Sequence, residues 1–368
     1  MNTTTKLVLA GICLASPISA LANCLSAYSG YSSGGIFAEQ AISNHPECFG
    51  GGTTTSQVLL NATAAQQFSA ISDALARRWT APGAPRLAAT GGGRGMAAGD
   101  VAQPFNLWGN VTDDDIDQRY ENNSGSDTKN DFDIQNYVLG GDYGLSSALV
   151  VGLSVAIDRG DLSGITTALG AERNDLSSRG YMVAPYLGWQ LNDEFSLDAS
   201  IGLGQGRLDA SNSSTQDVDR WYTGVNLNYQ RWLDNWQFTG RLGYLHAEEH
   251  YDDVDLRGET EDLLGQSKLQ DSDSKNKLDR IQIGGQVGYW LNGWLPYVGL
   301  KYMDDMHRST TLDFSPNDPI GKEAWVWTVG VNYFSLAHGI TGGVAYEQEE
   351  GRSHQNMNTW VANLNLRF

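Results

Sequence analysis

Residues Met357–Phe368 alternate with a period of two. Trp360, Ala362, Leu364, Leu366 and Phe368 fall on one side; Val361, Asn363, Asn365 and Arg367 fall on the other. That is a β-strand with one apolar and one largely polar face. Chain ends in water usually fray, so an aromatic two-faced strand is a poor ending for a soluble protein. In lipid the same strand makes sense, because a sheet there must close on itself and leave no unpaired edge. The strand therefore demands partners upstream, enough of them to close a barrel.

Those partners are legible from Pro104 onward. Twelve strands are expected near 104–113, 131–145, 147–158, 178–191, 194–210, 217–232, 234–250, 277–291, 294–305, 322–335, 338–350 and 355–368. In one of them Trp325, Trp327, Val329, Val331 and Tyr333 alternate with Val326, Thr328, Gly330 and Asn332. Aromatics tend to end each apolar row, as the two interfacial girdles of a membrane barrel require. Short turns at Ser146, Asn192-Asp193, Asp234-Asn235, Asn292-Gly293 and Leu336-Ala337 alternate with longer polar loops at 114–130, 159–177, 211–216, 251–276, 306–321 and 351–354. Tight periplasmic turns and long external loops are the outer-membrane arrangement. A soluble sandwich has no reason to sort its loops by length.

The non-lipid face is rich in glycine, at positions 152, 188, 202, 204, 224, 284, 288, 299, 330 and 343. Glycine there leaves room for another backbone to approach. Arg207, Arg241, Lys301, Glu347 and Arg367 are also expected on the lumen face. The occupant is expected to be the stretch 54–79, rich in Ala, Gln and Leu and free of Gly and Pro, which reads as helix. Thr54, Thr55 or Ser56 can cap it, and Arg77 and Arg78 suit its negative end. At 1.5 Å per residue it spans roughly 36 Å, enough to thread a pore, yet it is too polar to face lipid. The expected fold is all-β: a 12-stranded antiparallel transmembrane β-barrel with an N-terminal α-helix threaded through the lumen.

Upstream, Lys6, the apolar run Leu7–Ala15 and Ala20-Leu21-Ala22 read as a signal peptide over 1–22. Cys24 and Cys48 then remain as an even pair in an oxidising compartment, which reads as a disulfide. Closing that loop would contribute roughly 3 kcal/mol. Leu21-Ala22-Asn23-Cys24 also half-resembles a lipobox, with Asn23 where a small residue belongs. Residues 23–53 are Ser-, Gly- and Tyr-rich; Gly30-Tyr31-Ser32-Ser33-Gly34 matches G-x-S-x-G but lacks the strand–turn–helix setting that gives that motif its chemistry. Residues 80–103 read as a Gly/Ala/Pro linker.

The order of these parts resembles an autotransporter (type V secretion) translocator domain. The helix Ser56–Trp79, the linker through Gly91-Gly92-Gly93-Arg94-Gly95, the first strand Phe105-Asn106-Leu107-Trp108-Gly109 and the ending Leu364-Asn365-Leu366-Arg367-Phe368 carry the resemblance, which covers roughly 55–368. It implies a location in the outer membrane of a Gram-negative bacterium. It also implies periplasmic chaperones and insertion by the barrel assembly machinery, with Phe368 in the assembly signal, and export of an N-terminal passenger. Such passengers usually run to hundreds of residues, whereas 23–53 offers about thirty. Relatives that self-cleave do so between paired Asn residues; here Asn61 is followed by Ala62.

Other chemistry is weakly represented. A net charge of −19 argues against nucleic-acid binding. The six His, at 45, 246, 250, 307, 338 and 354, include no H-E-x-x-H, and no cofactor or metal site is expected. The acidic runs at Asp113–Asp117 and Asp252–Asp262 read as solvated loops able to bridge to lipopolysaccharide through divalent ions. The leading expectation is a monomeric, non-enzymatic barrel that anchors and exports or displays its own short N-terminal segment, in contact with outer-membrane lipid and lipopolysaccharide. A surface adhesin or receptor acting through its loops, a porin and a barrel enzyme stand as alternatives.

Overall fold

The computed structural model describes residues 54–79, 104–121, 127–167, 171–210, 214–252, 254–256, 268–269, 275–310, 320–335 and 338–368. The expected signal peptide, the segment 23–53 with Cys24 and Cys48, and the linker 80–103 lie outside them. The chain forms helix α1, Thr54–Trp79, and twelve long strands: β1 Phe105–Glu121, β2 Asp127–Gly144, β3 Leu149–Thr167, β4 Ala171–Gln190, β5 Phe195–Ala210, β6 Ser214–Leu233, β7 Trp236–Tyr251, β8 Lys275–Tyr289, β9 Trp294–Thr310, β10 Glu323–Ser335, β11 Ile340–Glu350 and β12 Gln355–Arg367. Each pairs antiparallel with its neighbours. A two-strand ribbon, Val254–Leu256 with Lys268–Leu269, sits in the loop after β7.

The seam is where the sequence placed it. β12 pairs with β1 from Asn106↔Arg367 to Gln118↔Gln355. Phe105 and Phe368 complete it by exchanging backbone hydrogen bonds of 3.3 and 3.2 Å. No edge remains, which is the condition lipid imposes. Tight turns gather at one end. Asn292 and Gly293 both take positive φ, the left-handed pair that a two-residue hairpin needs.

Outside, the lipid-facing rows are exposed and apolar, for example Leu153, Val155 and Ile157 on β3. Rings border them at both ends. At the tight-turn end Phe105–Tyr143, Phe195–Tyr229, Trp236–Tyr289 and Trp294–Tyr333 pack at centroid distances of 4.9, 5.1, 4.9 and 4.8 Å. At the long-loop end Tyr302–Trp325 and Tyr346–Trp360 pack at 5.0 and 5.1 Å. These are the two girdles of a membrane barrel.

Two expectations need correction. The polar stretches 114–130 and 159–177 are mostly strand, not loop, and half of 211–216 is strand: β1 runs to Glu121, β3 to Thr167, and β6 starts at Ser214. Beyond the bilayer both faces of a hairpin meet polar surroundings, so apolar alternation stops while the hydrogen-bonded ladder continues. The lumen glycines are also filled differently. Gly144, Gly188 and Gly224 are met by the helix, through Arg78, through Leu75 and Trp79, and through Phe68. Four others are covered by the ring directly opposite on the next strand: Gly140 by Trp108, Gly152 by Tyr186, Gly202 by Tyr222 and Gly330 by Tyr297.

A helix-plugged lumen as the candidate functional site

Helix α1 carries two stripes at helical spacing. Ala64, Phe68, Ile71 and Leu75 form the first, and all are buried. They join Trp108, Val138, Met182, Tyr186, Tyr222, Leu245 and Leu278 in one core contributed by β1–β4 and β6–β8. Burying each large apolar side chain is worth about 1.5–3 kcal/mol. Gln66, Ser69, Asp73 and Arg77 form the second stripe and line a cavity of about 270 Å³. The opposite wall of that cavity includes Tyr297, Lys301, Thr328, Glu347 and Thr359. The helix therefore lies against one wall of the barrel and stands off the other.

Polar anchors fix its height and rotation. Arg78 donates to Asp142 at 2.5 Å, and both side chains are buried. Asp142 also accepts from Asn106 at 2.9 Å and from the Tyr186 hydroxyl at 3.2 Å, while Trp108 Nε1 donates to Tyr186 at 2.7 Å. Ser72 donates to Asp198 at 2.7 Å, and Asn226 and Asn228 supply two more donors to that carboxylate. Gln67 donates to Ser154 at 3.1 Å. A buried carboxylate with several donors offsets the cost of its desolvation, which an isolated one does not.

Four of the five predicted lumen residues point inward and meet the helix or each other. Arg241 donates to Asp73 at 2.7 Å. Lys301 pairs with Glu347 across the cavity wall at 3.5 Å. Arg367 donates to the carbonyls of Arg77 and Arg78 at 2.6 and 2.5 Å, so a cation on β12 caps the open end of α1. Arg207 is the exception and corrects the expectation. It continues the outward row Ile201, Leu203, Gln205 and pairs with Asp217 at 2.6 Å, its side chain 42% exposed. Above the bilayer the outer face meets water, so an arginine there need not turn inward. Phe368 lies on the outer face at the tight-turn end, 62% exposed.

The helix also has a defined polarity. Its last turn sits at the tight-turn end, where Arg78 donates to the Pro104 carbonyl at 3.0 Å. Ala62 sits at the long-loop end, packed with Ile116, Phe132, Ile134, Leu176, Leu208, Val218 and Tyr251. These residues come from the extended hairpins and form a small apolar core above the bilayer. Beside it Arg220, buried, is held by Asp158 at 3.0 Å and lies 2.8 Å from Glu249. Over the cavity side Arg352 joins Asp305 and Glu349 at 2.8 and 2.7 Å, and Arg280 joins Asp305 at 2.6 Å. Arg352 also donates to the carbonyl of Gly321 at 2.8 Å, and Arg308 to that of Ile320. Nothing local in the sequence marks this cluster, because its members come from β8, β9, β11 and two loops. At the external end of the lumen an apolar core thus stands on one side and an ion-pair cluster on the other.

The histidines do not converge. His246 faces outward, 2.7 Å from Asp279 and packed at a tilt against the Trp221 ring. His354 contacts the Arg119 carbonyl, and His338 contacts Ser335 Oγ at the far end. Among the described residues no group of three or more His, Cys, Asp or Glu is placed to hold a metal ion.

A closed twelve-stranded barrel with two aromatic girdles and a helix docked in its lumen defines a transmembrane translocator-type barrel. Residues 107–347 match the Autotransporter beta-domain family, and the chain belongs to that family. It is an outer-membrane translocator barrel of the Gram-negative type. Among solved structures it is similar to the translocator domain of the autotransporter NalP from Neisseria meningitidis. That likeness has a TM-score of 0.55 at 10% identity, over 84% of this chain and 99% of that one. It is also similar to the transport unit of the autotransporter AIDA-I from Escherichia coli (TM-score 0.49, 13% identity, 82% of this chain and 98% of that one). The β-domain of the Bordetella autotransporter Brka follows, at TM-score 0.49 and 14% identity, over 72% of this chain and 100% of that one. At such identities the likeness is one of fold. No curated protein sequence matches the chain at a significant level.

Proposed function

We propose that this barrel anchors its own N-terminal segment, residues 23–53, in the outer membrane and exports or displays it on the cell surface. The carrying observation is the polarity of α1: its last turn is tied to β1 at the tight-turn end, and Ala62 packs into the external core. A chain running upstream from such a helix leaves on the external side. Catalysis has no part in this reading. The protein is a pore folded around its own helix, assembled as a monomer by the barrel assembly machinery with help from periplasmic chaperones, Phe368 serving in the assembly signal. The Cys24–Cys48 pair would close the displayed segment into a loop.

The test uses intact cells. After reduction, Cys24 and Cys48 should react with a membrane-impermeant maleimide as readily as a cysteine placed in an external loop. Labelling of the loop cysteine alone would sink the export reading while leaving the barrel intact.

A further inference from the structure

The first outward-facing position beyond the lipid-facing row can be read off every strand at the external end. On β1 to β12 it holds Asp113, Gln135, Arg159, Arg179, Gln205, Asp219, His246, Asp279, Asp304, Glu323, Gln348 and Asn358. On a chain of net charge −19 this belt is acidic or neutral almost throughout. The two permanent cations are adjacent, and they face each other: Arg159 is directly opposite Arg179. Arg179 is in turn directly opposite Arg207, one outward step higher on β5.

Like charges directly opposite across strands destabilise a sheet. Three guanidiniums in one register row, with strands about 4.8 Å apart, are costly unless an anion meets them. The acids within reach satisfy them incompletely. Arg207 is paired with Asp217, and Arg179 lies 3.6 Å from Asp209 with its side chain 66% exposed. Arg159 makes no ion pair among the described residues, the outward Asp133 and Asp161 standing one step further from the bilayer. Exposed pairs of this kind are weak and exchange readily. Tyr181, the outward neighbour of Arg179, is half exposed and hydrogen-bonds to Gln205 at 3.1 Å, which sets the row at the edge of the apolar band.

We propose that the row Arg159–Arg179–Arg207 is a docking surface for the phosphate groups of the outer-leaflet lipopolysaccharide. The height is that of the headgroups, the charge is complementary, and guanidinium forks suit bidentate contact with phosphate oxygens. Direct contact through this row is a mode distinct from the ion-bridged contact through the acidic runs that the sequence alone suggests.

The experiment measures binding of purified lipopolysaccharide to the full chain in detergent with EDTA present, so that bridges through divalent ions do not contribute. The wild type should bind phosphorylated lipopolysaccharide at least tenfold more tightly than the enzymatically dephosphorylated form. The double variant Arg159→Gln/Arg179→Gln should lose that preference, and Lys277→Gln, outward-facing elsewhere on the rim, should keep it. Heat-modifiable migration on gels reports whether each variant is folded. If the double variant fails to fold, the wild-type comparison still decides. Wild-type indifference to dephosphorylation, an unchanged folded double variant, or equal binding of phosphatidylglycerol headgroups would each overturn the assignment.

Discussion

The wall built by β1–β8 and the wall built by β9–β12 enclose the same helix and treat it in opposite ways. The first meets it with rings, aliphatic side chains and buried carboxylates, at Phe68, Ile71, Leu75, Asp142 and Asp198. The second meets it at its end, through Arg367 and the 3.4 Å contact of Asn365 with the Ala74 carbonyl, and otherwise faces a polar cavity. The difference teaches which contacts hold the plug. Dry packing with satisfied buried acids carries the docking, and ion pairs across the wet side add little, since water competes for both partners.

Four changes probe that contrast, and the largest effect belongs to the helix itself. Deleting residues 54–79 joins the cavity to the space now filled by α1, and single-channel conductance in planar bilayers should rise several-fold. An unchanged conductance would mean that the helix does not plug the pore. Phe68→Ala removes the central ring of the dry wall and should cost about 3–5 kcal/mol, read as a lower midpoint of heat-modifiable unfolding. Gly224→Val comes next. A Cβ at Gly224 would lie 2.5 Å from the Phe68 ring, so the helix must shift. We expect about 1–3 kcal/mol and more frequent channel openings from this overpacking. Glu347→Gln, on the wet wall, breaks only the partly exposed pair with Lys301 and should change stability by less than about 1 kcal/mol. If Glu347→Gln matched Phe68→Ala, the distinction between the walls would collapse.

Much of this was legible in the sequence, for physical reasons. Lipid permits no polar group on one face and water or a helix permits many on the other, so strands such as Trp325–Tyr333 write their alternation plainly. The helix at 54–79 stood out because Gly and Pro, abundant on both sides of it, are absent from it. Legibility failed where the bilayer stops. The hairpins of β1–β2 and β3–β4 run on with polar residues facing out, so Asp115 and Arg159 looked like loop. Arg207 was misplaced by chemistry, since an arginine reads as lumenal wherever lipid is assumed outside, while its parity with Leu203 pointed outward. The ion-pair cluster at Arg352 was invisible, because its partners Asp305 and Arg280 are distant in the chain and meet only once the barrel closes.

The glycines roofed by rings bear on how the chain finds its pairing. Trp108 over Gly140, Tyr186 over Gly152, Tyr222 over Gly202 and Tyr297 over Gly330 fall in the pairs β1–β2, β3–β4, β5–β6 and β9–β10. Every one of these pairs is joined at the external end. A two-residue turn, as at Asn292-Gly293, dictates which residues stand opposite. None of these four hairpins has one, and a connection of three residues or more fixes that choice less tightly. A ring fits over a residue without Cβ at one offset, and a slip of one position turns it out of the lumen altogether. The four pairs therefore work as keys in locks, specifying the alignment of those hairpins where their connections fix it less tightly.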